Sequence, residues 1–327
     1  MPDSRARPRL LIDTDPGVDD ALALLMAYAH ADVQALTIAA GNVGLAHTVR
    51  NACTLVELVG AGTPVHAGCP TPLVRAPDED AAGVHGDDGF GDVGFPDPRL
   101  RAQDEHAALA LIRLTRAQPG RLTLVALGPL TNLALAVRLD PDLPQRVARL
   151  VVMGGAVHGQ GNTRTLTAEF NIGFDPEAAR VVFEAFAQFD LVDWEATLRH
   201  AFDEADFDRW LAAGDARARF FASLVGKARA YNAQRGRRGI IAADALAMAV
   251  ALEPDLVLRA ERHHVAVEID GQLTRGSTVV DWEDRLGRPA NARIVLDIDQ
   301  EHFAALVRRA LGASAPLQDL AGAAGDC

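Results

Sequence analysis

Lysine is nearly absent from these 327 residues: Lys227 is the only one among 32 basic side chains, a coding bias and not a functional signal. Positive charge is also outnumbered, 32 basic against 44 acidic residues, for a formal net charge of -12. Such a surface repels phosphate at long range, which argues against nucleic-acid and anionic-membrane partners and favours a small neutral substrate. Cysteine is scarce: Cys53, Cys69 and Cys327 are an odd number without metal-ligand spacing, so they read as two packing residues and a tail residue in a reducing compartment. No apolar stretch reaches the ~20 residues needed to cross a bilayer. The charged segment Met1 to Arg9 lacks the apolar centre of a signal peptide, so the expected location is cytoplasmic. Neither a Pro/Ser-rich linker nor an internal repeat divides the chain. The expectation is one domain over 1–311, with an Ala/Gly-rich, frayed tail over 312–327.

What the sequence does contain is alternation. Strand-like runs at Arg9 to Thr14, Val33 to Ala39, Pro64 to Ala67, Leu122 to Leu127 and Leu150 to Met153 are separated by helical patterns. That order predicts an α/β fold with a mostly parallel central sheet flanked by helices. After Phe202 the chain reads as helical to about Leu252, then gives runs at His263 to Asp270, Ser277 to Asp281 and Ala292 to Ile298, and a last helix from Gln300 to Leu311. These later runs predict a small C-terminal β addition.

Four carboxylates fall in Asp13-Thr14-Asp15-Pro16-Gly17-Val18-Asp19-Asp20, between the apolar Leu10-Leu11-Ile12 and a helical apolar pattern. The Pro-Gly turn places them at the carboxyl end of a buried strand, where open α/β sheets bind ligands. Singly, Asp19 or Asp20 would be explained as complementing a helix N-terminus, and Asp15 as a turn residue. Together they repel one another and call for a cation. Only oxygen ligands are on offer, so a hard metal is expected, with Ca²⁺ favoured over Mg²⁺.

Other polar residues gather at predicted strand ends: Gly41-Asn42, Gly128-Pro129-Leu130-Thr131-Asn132 and Met153-Gly154-Gly155. A parallel sheet brings such ends to one edge. The segment Pro70 to Gln103 is too long for a plain connection, and its His85-Gly86-Asp87-Asp88-Gly89-Phe90-Gly91 reads as a mobile lid, or else as a surface insertion. Further on, Glu169 and Asn171 flank Phe170. In an extended segment both point one way and suit a vicinal diol; a helix-capping pair is the other reading.

The Asp13 to Leu24 string resembles the signature of the inosine-uridine-preferring nucleoside hydrolases. Asn42 after Gly41, His85-Gly86, Gly128 to Asn132, Met153-Gly-Gly, Gly161-Asn162, Glu169-Phe-Asn171 and Asp175-Pro-Glu177-Ala-Ala179 follow in that family's order, and Thr274-Arg275-Gly276 and Asn291 match near the end. The resemblance spans Leu10 to Leu311 and implies Ca²⁺-dependent hydrolysis of the N-glycosidic bond of ribonucleosides, in a homodimer or homotetramer. By position it implies that Asp15, Asp20, the Thr131 carbonyl and Asp244 hold the ion, with Asp13 in support. It further implies that Asp15 takes the proton of the attacking water and that Asp19, Asn42, His85, Met153, Asn162, Glu169 and Asn171 contact the substrate.

Two features depart from the family pattern. One extra residue separates Asn162 from Glu169, which makes Asn162 the least secure contact. Ala243 precedes Asp244 where purine-active members carry a proton-donating histidine, and Glu195-Ala196-Thr197-Leu198 replaces a form ending in Thr-His. The leaving-group side is therefore apolar or rebuilt. Two other readings remain at this stage: a nucleoside- or ribose-binding protein of the same fold that has lost turnover, and a Mg²⁺ phosphatase built on Asp13-x-Asp15, for which Lys227 is poorly placed. The arginines Arg235, Arg237 and Arg238 read as solvated surface charge.

Overall fold

The computed structural model describes residues 7–77 and 79–313. Leu10-Leu11-Ile12 has no polar position, so it can lie only in a sheet covered on both faces. It forms β1 (Arg9–Thr14), followed by α1 (Val18–His30), β2 (Asp32–Ile38), α2 (Leu45–Leu58), β3 (Val65–Ala67) and the short α3 (Ala82–His85). Next come α4 (Ala107–Ala117), β4 (Thr123–Ala126), α5 (Thr131–Leu139), α6 (Leu143–Arg146), β5 (Arg149–Met153), α7 (Phe170–Phe174), α8 (Pro176–Ala185) and β6 (Phe189–Val192). The chain ends with α9 (Trp194–Arg199), α10 (Glu204–Ala213), α11 (Ala216–Gln234), α12 (Ala243–Leu252), β7 (Val257–Val267), β8 (Thr278–Asp281), β9 (Ala292–Ile298) and α13 (Gln300–Ala310).

The strands form one nine-stranded sheet in the order β3-β2-β1-β4-β5-β6-β9-β7-β8. β1 pairs in parallel with both β2 and β4, which sets Asp13 beside Thr37 on one side and Ala126 on the other. The chain winds outward from β1 in both directions, so the order reverses between β1 and β4, the position at which such sheets open a crevice. The mostly parallel α/β fold is as expected. The C-terminal strands, however, are no separate layer: β9 joins β6 in parallel and carries the antiparallel β7 and β8 as the edge of the same sheet.

Alternation along β1 divides the core. Leu10 and Ile12 join the apolar cluster that includes α1, α11, α12 and α13, while Leu11 joins the one that includes α5 and α8. Ala21 to Ala27 of α1 are all buried because the helix is enclosed by the sheet, α12 and α13. Two of the distant motifs act here: Arg275 grips the Glu177 carboxylate with two 2.7 Å bonds, and the Asn291 side chain bonds Val265 and Phe183 backbone atoms. Cys53 and Cys69 are buried free thiols, as their packing role requires. Cys327 and the expected tail from residue 314 onward lie outside the described residues.

The long 70–103 connection is docked against α11. Phe90 is fully buried, its ring 5.7 Å from Phe220 and 6.3 Å from Phe95. Asn51 donates to the Asp88 carbonyl at 2.9 Å, and Lys227 pairs with Asp92. The glycine-rich turn is anchored through Phe90, and the longest exposed run of the connection is 73–77, with a shorter one at 92–94. A broad-specificity protease is expected to cut first within 71–77 and to spare 85–92; a first cut at the glycines would restore the freely moving turn.

Candidate active site

The carboxylates of the N-terminal motif occupy the crevice where the strand order reverses. Asp13, the penultimate residue of β1, accepts from Thr37 Oγ1 at 2.6 Å and Asn132 Nδ2 at 3.1 Å, which ties β1, β2 and α5 together. Asp15 follows the strand; its Oδ2 accepts the Asn42 N–H at 2.6 Å, while its buried Oδ1 has no partner. Asp20 sits in the first turn of α1, where its carboxylate accepts from Thr14 Oγ1, from the Gly17 N–H at 2.9 Å and from Asn42 Nδ2 at 2.9 Å.

Asp244, in the first turn of α12, reaches the same point because α12 packs along α1. Carboxylate oxygens of Asp19, Asp20 and Asp244 lie within 4.8 Å of one another. The converging trio therefore contains Asp19 rather than Asp15, and the backbone N–H of Asp244 helps to hold the Asp19 carboxylate. The positive ends of two helices offset part of the repulsion. Burial by itself pushes Asp13 up to about 7 and Asp19 up to about 6. Burial followed by the charges of Asp20 and Asp19 raises Asp15, and burial followed by those of Asp19, Asp20 and Asp15 raises Asp244. The histidine that faces them brings no charge. His85 Nδ1 accepts the Val18 N–H at 3.0 Å, and burial lowers its pKa to about 4, so the ring is neutral with its proton on Nε2. Buried oxygens in this number, two of them without a partner (Asp13 Oδ1 and Asp15 Oδ1), fit a hard divalent cation.

Glycine makes the convergence possible. A Cβ on Gly41 would stand 2.0 Å from Asp15 Oδ2, and one on Gly128 2.3 Å from Asp15 Oδ1, so the loops after β2 and β4 press directly on this carboxylate. Gly41→Ala and Gly128→Ala are expected to cost about 1–3 kcal/mol of stability by overpacking, and to lower turnover at least tenfold by displacing Asp15. Gly62→Ala, with nothing within 4 Å, is the control. Normal kinetics in the first two variants would show that the position of Asp15 is unimportant.

Beside the carboxylates runs one cavity, lined by Asp19, Asn42, His85, Met153, Asn162, Glu169, Asn171 and Asp244, with Trp194, Tyr231, Arg237 and Ala243 farther along the same lining. Glu169 is not in an extended segment: it caps α7, accepting the Asn171 N–H at 2.9 Å and the Ile172 N–H at 3.2 Å, and it also accepts the Gly155 N–H at 2.9 Å. Of the expected capping pair only Glu169 caps the helix; the Asn171 side chain does not, and both residues line the cavity. Burial raises Glu169 to about 7. The Asn171 amide donates to the Leu127 carbonyl at 2.7 Å and the Met153 carbonyl at 3.3 Å, which fixes its orientation. Asn162 lines the cavity, and Leu166 in the turn that follows it takes φ 64°. The buried Asn162 Oδ1 has no protein partner.

Thr131 opens α5, its hydroxyl on Asp175 at 2.8 Å. Glu195, in the departing Glu-Ala-Thr-Leu string, accepts the His158 and Gln160 N–H groups at 2.9 Å each, so it holds the loop that leads to Asn162. Trp194 follows β6 (Phe189–Val192), a strand whose local signal is only the short Phe-Asp-Leu-Val run before Asp193. Surface charge describes the exposed Arg235 and Arg238, but Arg237 is half-buried in the cavity wall.

The comparisons with known proteins agree with this geometry. Residues 10–305 match the family model described as inosine-uridine preferring nucleoside hydrolase. The non-specific ribonucleoside hydrolase RihC of Salmonella newport is 38% identical over 296 residues, covering 90% of this chain and 94% of its own. Among solved structures, an inosine-guanosine nucleoside hydrolase superposes with a TM-score of 0.87 at 34% identity, covering 93% of this chain and 98% of that one. A purine-preferring ribonucleoside hydrolase from Gardnerella vaginalis gives 0.85 at 28% identity, covering 93% and 98%.

Proposed function

The chain belongs to the inosine-uridine preferring nucleoside hydrolases, enzymes that hydrolyse N-glycosyl compounds, and on that premise we propose that it splits ribonucleosides into ribose and free base with the help of Ca²⁺. The observation that carries the reading is the buried carboxylate group at the sheet crossover, opening onto the cavity lined by Asn162, Glu169 and Asn171. Asp20 and Asp244 hold the cation, with Asp15 and the Thr131 carbonyl completing the set and Asp19 against both the ion and the sugar. When bound, such a cation neutralises the carboxylates and acidifies a water molecule.

The chain's own groups do the rest. Asp15, with Oδ2 fixed by Asn42 and Oδ1 free, accepts the proton of the attacking water. Asp19, Asn42, Met153, Asn162, Glu169 and Asn171 hold the ribose, and their oxygens stabilise the positive charge that develops on the sugar. Neutral His85 offers its Nε2 proton to a ribose hydroxyl. The full chain acts in the cytoplasm as a homodimer or homotetramer, with residues 1–311 as its catalytic domain. Among the described residues no helix is long and apolar enough to cross a membrane.

The test is a panel of purine and pyrimidine ribonucleosides with Ca²⁺, read as release of reducing sugar. Release from at least one member is expected. Tight nucleoside binding with no release would favour the binding-protein reading that Ala243 leaves open.

A further inference from the structure

Two arginines line the cavity. Arg229 is engaged, its Nη2 2.6 Å from Asp208. Arg237 has no carboxylate partner among the described residues: its guanidinium lies 4.9 Å from the centroid of the Trp194 ring and makes only a long 3.5 Å approach to Asn232 Oδ1. Burial lowers its pKa from the usual arginine value, and the nearby Arg235 lowers it further. A guanidinium nonetheless stays protonated in a protein. An unpaired cation in a half-buried wall is costly unless something negative arrives to meet it.

Phe221, Val225, Ile240 and Ala243 add apolar surface to the same cavity, whose lining also includes the acidic Glu79 and Asp80. Apolar surface strengthens whatever electrostatic contact forms beside it. The cavity thus holds, besides the carboxylates read to bind the ribose and cation, one guanidinium without a carboxylate partner in its wall. The Trp194 ring, its centroid 4.9 Å from the guanidinium carbon, holds the cation in the cavity wall before any charge appears.

We propose that Arg237 is the leaving-group residue of this chain, stabilising the electron pair that the departing base takes from C1′ in place of a proton donor at position 243. The inference rests on the hydrolase reading above. In the step, the C1′–N bond breaks with both electrons on the base nitrogen, and C1′ gains the oxygen of water. Asp15 takes the water's proton, and the base anion, held by Arg237, is protonated by solvent as it leaves. Arginine cannot surrender a proton, so its contribution is charge and not acid catalysis.

The test compares wild type, Arg237→Gln and Arg237→Lys, loaded with Ca²⁺, on inosine, uridine and 4-nitrophenyl riboside. Arg237→Gln should reduce kcat/KM for inosine by about 10²–10³-fold, the usual effect of removing one preorganised electrostatic group, and for the nitrophenyl compound by less than about fivefold. Arg237→Lys should recover part of the inosine loss, and the Ki of a ribose-like inhibitor without a base should not move. An equal loss on all substrates, or no loss, in an enzyme whose wild type is active would overturn the role of Arg237 and leave the hydrolase reading intact. A Ca²⁺-loaded wild type that releases ribose from none of them would overturn both.

Discussion

Asp20→Asn and Asp244→Asn are each expected to abolish hydrolysis and metal retention together. Both carboxylates belong to the converging trio, and each variant removes a full charge and replaces one carboxylate oxygen by an NH2 group that cannot ligate. Loss of the ion removes several kcal/mol of transition-state stabilisation, so kcat should fall by about 10³-fold or more. The effect should also appear without any substrate. Ca²⁺ at about 100 times its Kd stabilises a folded state by about 2.7 kcal/mol, so wild type should gain several degrees in Tm with Ca²⁺ and lose them with chelator, while the two variants should show no response. Asp19→Asn tests the geometry: metal loss as severe as in Asp20→Asn would place Asp19 among the ligands, and retained metal with weakened ribose binding would return it to the sugar. Full turnover in a thoroughly chelated sample would sink the metal requirement altogether.

The parts of the site that were legible in the sequence are those set by short-range chemistry. An apolar run, Pro16-Gly17 and a second apolar run fix a strand, a turn and a helix, so the carboxylates between them had to lie at a strand's carboxyl end. Parallel pairing then brought Asn42 and the Gly128 to Asn132 turn beside them. Asp244 lies more than two hundred residues away in the chain, and only the family pattern pointed to it; the physical cause is the packing of α12 along α1, which no local signal reports.

Errors arose where tertiary packing overrode local pattern. Glycines around His85 permit motion, yet Phe90 inside the aromatic cluster with Phe95 and Phe220 holds the turn against α11. Glu169-Phe170-Asn171 alternates like a strand, but a carboxylate that can satisfy the first N–H groups of a helix is better used as its cap. The later runs, by contrast, form the expected β addition, with β9 paired in parallel to β6 and β7 and β8 antiparallel at the edge of the main sheet. Arg237 looked like surface charge because sequence gives no measure of how far a loop folds back over a cavity.

Inosine should be cleaved about 10²–10⁴-fold more slowly than 4-nitrophenyl riboside, the range that general acid catalysis normally supplies. Ala243 stands at the start of α12 in the cavity wall and can donate no proton, while the nitrophenolate leaves as a stable anion and needs none. Neither neighbouring candidate is well suited to replace the acid. His85 is already neutral, so giving up its remaining proton would create an imidazolate. The Tyr231 ring is covered by the Arg235 guanidinium 3.4 Å from its centroid. Ala243→His is therefore expected to raise inosine turnover and leave the nitrophenyl compound nearly unchanged, with the gain falling away above the pKa of the new imidazole. If Tyr231 does serve as the acid, Tyr231→Phe will depress inosine far more than nitrophenyl riboside, and Ala243→His will compensate for it. Equal turnover of the two substrates in wild type, insensitive to changes at His85, Tyr231, Arg237 and Ala243, would show that departure of the base does not limit this enzyme and that the absence of a histidine before Asp244 is without consequence.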